Sequence, residues 1–170
     1  MIDRTHFEWD TYWWTAGNQS VPFIKNPVSI TIYSQCERDG TSPDQSVQPS
    51  DRQLVIANSL LKLPANLSDS LHDVAEASRS ETDEAVGLAD EGLGHIKRDN
   101  IRLFYKIESI IVPRDCSDDQ VVVFLDGECA WEKEHGLRVS MRDGEFVGYS
   151  WQSGGISVQN IVENLPNSKG

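Results

Sequence analysis

The spacing of apolar residues changes twice along the chain, dividing it into a strand-like segment, a helical one and a second strand-like one. Over residues 6–36 the large side chains are aromatic or β-branched. Phe7, Trp9, Tyr12, Trp13 and Trp14 cluster, and Val28, Ile30 and Ile32 then alternate with polar or small residues. That pattern predicts a strand-rich segment, because successive side chains of a strand point to opposite faces. Ala16-Gly17-Asn18-Gln19-Ser20 divides it in two. Residues 37–50 hold Asp39-Gly40, Ser42-Pro43 and Pro49 with almost nothing to bury, which spells a loop.

At Ser50 the spacing shifts to three and four. Ser50 followed by Gln53 has the form of a capping box, with Pro49 safely outside the helix. Leu54, Ala57, Leu60 and Leu61 share one face, and Pro64 ends the helix. Asn66 can cap a second helix in which Leu67, Leu71, Val74 and Ala75 face inward while Asp69, Asp73 and Glu76 face out. A helical hairpin over 51–80 is expected. Residues 81–99 carry Glu81, Asp83, Glu84, Asp90 and Glu91 with three glycines, and read as a mobile acidic connector with one helical turn near 85–89.

After residue 100 the period becomes two. Ile101, Leu103, Tyr105, Ile107 and 110–112 form one run, 121–125 a second, and Leu137, Val139 and Met141 a third. Residues 146–151 face the third across Asp143-Gly144, a hairpin signal. The result is an antiparallel meander over 101–151, followed at 155–165 by a segment that a strand or a short helix could bury. The chain therefore reads as one domain, 1–170, of α+β class. Its antiparallel sheet should have about four to six strands, with the helical hairpin packed on one face.

Charge narrows the function classes. Against 15 basic residues stand 27 acidic ones, a net charge of -12. Nucleic acid and anionic membrane both reward Lys and Arg, so neither is expected as a partner, whereas a basic protein is. No apolar run approaches the ~20 residues of a membrane-spanning helix, and residues 1–6 lack the signature of a secretory leader. Cys36, Cys116 and Cys129 form neither a disulfide framework nor a zinc ribbon, which points to a reduced cytoplasmic setting. A monomer or weak homodimer is expected.

The densest run of reactive side chains is 126–136, holding Asp126, Glu128, Cys129, Trp131, Glu132, Glu134 and His135 between two expected strands. A zinc site would want more than one Cys and one His, so neither a metal nor a cofactor is expected. A Cys129 nucleophile with His135 as base needs a depressed thiol pKa. The carboxylates of Asp126, Glu128, Glu132 and Glu134 push it the other way, and no catalytic residue is assigned. A structural role competes: Trp131 buries its ring, Gly136 permits a tight turn, and His135 with a carboxylate satisfies backbone groups. His6, His72 and His95 have no partner at ligand spacing. On the helical hairpin and connector, Asp69, Asp73, Glu76, Glu81, Asp83 and Glu84 read either as a solvated face or as a partner-binding surface.

The run 129–137, with its Cys, its Trp and its Glu-His-Gly-Leu element, resembles a family of uncharacterised bacterial domains. The opening of the helical hairpin at 49–53 resembles it too, so the resemblance covers roughly residues 27–150. Such domains are similar in size and setting to immunity proteins of polymorphic toxin systems. That association, and no known activity, is what the resemblance implies; together with the acidic charge it makes a non-enzymatic protein-binding module, immunity-type and neutralising a basic partner, the first expectation. The alternatives are an enzyme or metal-binding protein using the 126–135 loop, and a structural domain with no small-molecule site.

Overall fold

In the computed structural model, which describes residues 1–34, 42–114 and 122–150, seven strands form one open sheet in chain order. They are β1 (Glu8–Asp10), β2 (Trp13–Gln19), β3 (Val28–Tyr33), β4 (Tyr105–Val112), β5 (Val122–Cys129), β6 (Leu137–Arg142) and β7 (Glu145–Ser150). Two helices, α1 (Asp51–Leu60) and α2 (Leu67–Val86), lie between β3 and β4. Ile56, Ala57, Leu60, Leu71 and Ala75 from the helices join Ile30, Ile32, Ile110, Leu125, Val139 and Met141 from the strands in one core. The α+β class is as expected.

Two features of the sheet differ from expectation. It has seven strands rather than four to six, and it is not wholly antiparallel. β3 and β4 run parallel, with Ile30 opposite Ile110 and Ile32 opposite Val112. The connection is the reason: a helical hairpin carries the chain back to the end where β3 began, and parallel neighbours need such a crossover. The additional strand count arises at the N-terminus. Thr11, in the left-handed region at φ 50, lets the Trp-rich stretch fold back as β1 and β2, which pair Trp9 with Trp14. Ala16–Gln19 thus belongs to β2, where a bulge next to Asn18 (φ 55) replaces the expected break.

The capping box opens α1 as the sequence predicts. Ser50 Oγ accepts from the Gln53 amide at 3.2 Å, and Gln53 Oε1 accepts from the Ser50 amide at 3.1 Å. Gln53 is only 2% exposed, and its Nε2 donates to Tyr33 O at 2.9 Å and Val112 O at 3.4 Å. The capping residue therefore ties the helix to the ends of both parallel strands, with each side-chain polar atom satisfied.

α2 outlasts its predicted end by a turn and a half, so residues 81–86 are helix and not connector. Local repulsion among the acidic residues is relieved from inside. Arg79, with its side chain 8% exposed, donates to both Glu76 oxygens at 2.8 Å and to Asp83 at 3.3 Å. Gly87 ends the helix at φ 71, and Asp83 Oδ1 accepts the Leu88 amide at 2.8 Å. Residues 87–99 form turns, anchored to the core by fully buried Leu88 and Ile96.

The C-terminal meander folds as expected across Asp143 (φ 51) and Gly144 (φ 85), a primed hairpin turn. Residues 101–103 form a 3-10 turn ahead of β4 instead of extending it. Residues 35–41, Trp151 and the segment 155–165 lie outside the described residues. No helix among those described is long and apolar enough to cross a membrane.

Candidate functional site

The reactive run is split between a strand and a turn. Asp126–Cys129 is the end of β5, and only residues 130–136 form the loop expected over 126–135. Asp126 lies opposite Arg138 on β6 and receives a bidentate pair of hydrogen bonds from it, at 2.7 and 2.6 Å. The Arg138 guanidinium also sits 5.2 Å above the Phe124 ring. Glu128 is exposed and lies opposite Lys106. Neither carboxylate faces Cys129, because alternate residues of a strand occupy opposite faces.

Cys129 is 6% exposed, and its thiol donates to the Glu132 carbonyl at 3.7 Å. Burial pushes the thiol up to about 11, with the Glu132 carboxylate as a lesser contribution. The sequence argument thus has the right direction, but the larger cause is desolvation rather than neighbouring charge. Trp131 is 5% exposed, and its Nε1 donates to Ser78 Oγ on α2 at 3.2 Å. Glu132 organises the turn: its Oε1 accepts the amides of Glu134 at 3.2 Å and His135 at 3.3 Å, and lies 3.3 Å from His135 Nδ1. Gly136, at φ 64, closes the turn by donating to Glu132 O at 2.9 Å. Glu134 and His135 are at the surface. Among the described residues no three His, Cys, Asp or Glu side chains converge so as to hold a metal ion.

The six acidic residues of the hairpin and connector do not form one uniform face. Glu76 and Asp83 hold Arg79. Asp73 pairs with Arg98, and Glu81 accepts from the Tyr149 hydroxyl at 2.5 Å. Asp69 and Glu84 are exposed and make no ion pair with a described residue.

Sequence reading missed a cleft of about 400 Å³. It is bounded by the loop 22–26, the start of α2, Arg102–Leu103 and the start of β4. His72, dismissed as isolated, sits there with its Nδ1 2.6 Å from the Tyr105 hydroxyl. Desolvation lowers the His72 pKa, opposed by nearby Asp69 and reinforced by Arg102. Burial raises Tyr105 far above the ordinary phenol range. Both shifts favour a neutral pair, hydrogen-bonded between Nδ1 and the phenol oxygen. Tyr105 is braced from behind by Trp131, ring centroids 6.4 Å apart and edge to face. The motif therefore positions a residue of the cleft. No sequence signal could have revealed this, since residues 72, 105 and 131 meet only through packing of a helix, a strand and a turn.

Residues 2–156 match the family described as a domain of unknown function, DUF6985. No curated protein and no solved structure matches the chain.

Proposed function

The chain belongs to the DUF6985 family, and from that premise we propose that it is a non-enzymatic binding module of the bacterial cytoplasm, an immunity-type protein that neutralises a basic protein partner. The observation that carries this reading is the charge of α2 and the turns after it. Residues 67–91 hold eight carboxylates and one arginine, and that arginine is turned inward against Glu76 and Asp83. The outer surface of the segment thus has no cation of its own, and Asp69, Glu81, Glu84, Asp90 and Glu91 are exposed. A surface of one sign accelerates encounter with an oppositely charged partner and contributes to specificity.

The competing reading, catalysis at the 126–135 loop, is disfavoured by the same geometry. A buried thiol held in its neutral form is a poor nucleophile, and His135 is engaged with Glu132 at the surface. The test uses a basic protein encoded beside the gene or recovered with the chain, with association rates measured at low and moderate salt. Asp69→Lys with Glu84→Lys should slow association and flatten its salt dependence while leaving the fold intact. Unchanged rates would overturn the proposal for this surface.

A further inference from the structure

We propose that the cleft containing His72 and Tyr105 binds a small organic anion, a carboxylate or phosphate head on an apolar body. This does not depend on the protein-binding surface, which lies on different side chains. Its volume, about 400 Å³, falls within the range of small-molecule sites. Lys25, Arg102 and Lys106 line the cleft, three of only 15 basic residues in a chain of net charge -12.

Lys106 is engaged by Glu108 at 2.7 Å. Lys25 and Arg102 are exposed and have no carboxylate of the described residues within ion-pair distance. The Tyr105 hydroxyl occupies Nδ1 of His72, and Nε2 is the imidazole nitrogen left for a ligand. Asp69 is the carboxylate nearest in effect to His72, and Asp73 beside it is drawn off by Arg98. The anionic head therefore belongs on the Lys25 and Arg102 side. Buried Phe23, Leu71 and Ile107 supply an apolar floor, which an inorganic ion would leave uncovered.

The experiment follows the imidazole resonances of the intact chain during titration with phenyl phosphate and with benzoate. Inorganic phosphate and benzyl alcohol serve as the head and the body alone. The His72 signal, assigned by its loss in His72→Gln, should move saturably with both organic anions. Benzyl alcohol and inorganic phosphate should each bind at least about tenfold more weakly, the scale of one charge-assisted contact or one buried ring face. Lys25→Gln combined with Arg102→Gln should weaken phenyl phosphate by a similar factor at unchanged melting temperature, whereas Lys133→Gln, in the turn after β5 and outside the cleft lining, should not. No saturable shift with either organic anion, or equal weakening by Lys133→Gln, would overturn the site. Binding of either control as tight as that of phenyl phosphate would overturn the assignment to an organic anion.

Discussion

The turn after β5 and the cleft beside it share Tyr105, yet they use their polar groups in opposite ways. In the turn, the Cys129 thiol, the Trp131 indole and the Glu132 carboxylate all bond inward, to backbone or to α2. In the cleft, Lys25, Arg102 and one nitrogen of His72 have no partner among the described residues and face open space. The turn is dense in reactive residue types along the sequence but chemically saturated. The cleft is assembled from scattered positions, and its donors are still available. Reactive side chains crowded in sequence mark a site only if folding leaves them unsatisfied.

The sharpest way to break this comparison is Trp131→Ala. Removing a buried indole should cost ~3–5 kcal/mol and leave the chain largely unfolded or molten, as followed by denaturant titration. His72→Gln, in the cleft, should stay within ~1 kcal/mol of the parent by the same measurement. If the two variants were equally stable, the turn would not be the structural element described.

Gly127→Ala tests how tightly the turn is tied to β4. A Cβ there would overlap Lys106 O and come within 2.8 Å of Ile107 Cα, both backbone atoms that cannot swing aside. The bulge between Ile107 and Ser109 lies opposite this glycine. A loss of about 1–3 kcal/mol or more is expected in thermal or chemical denaturation.

Charge reversal should divide the acidic helix into two classes. Asp83→Lys removes an Arg79 partner and the cap on the Leu88 amide, and should cost about 1–2 kcal/mol. Asp69→Lys and Glu84→Lys should each stay within about 0.5 kcal/mol, the usual range for exposed positions. Melting curves at fixed pH separate the classes. A common value for all three would mean that Arg79 does not depend on its carboxylates.

One further effect is confined to alkaline pH. The Cys129 thiol has its pKa raised from the ordinary 9.0 to about 11, so the folded chain retains a proton that the unfolded chain releases. Its contribution is complete below pH 9 and declines as pH rises from 9 to 11. Cys129→Ser should flatten the stability profile over that window. In a Cys36→Ser/Cys116→Ser background, the remaining thiol should react with an alkylating reagent at pH 8 far more slowly when folded than in denaturant. Equal rates would show that the thiol is accessible.

Much of this architecture can be read directly from the chain. The Ser50 and Gln53 capping box, the stripes of α1 and α2, the apolar run of β5, the alternation of β6 and the Asp143-Gly144 turn depend on neighbours within a few residues, where periodicity and turn chemistry act. Burial of Trp131 was also legible, since a ring of that size flanked by strands has a strong reason to leave water. The length of α2 was not. Its last turn and a half reads as an acidic connector until Arg79 is known to lie inside, holding Glu76 and Asp83. The parallel pairing of β3 and β4 depends on where the helical hairpin returns the chain, a relation across more than seventy residues. The cleft is further still from any local signal, because Lys25, His72 and the pair Arg102 and Tyr105 come from three separate stretches of the chain. Local sequence determined the elements and their inward faces through short-range hydrogen bonds and hydrophobic spacing; only tertiary packing decided which polar groups would be satisfied by the protein and which would remain open to a ligand.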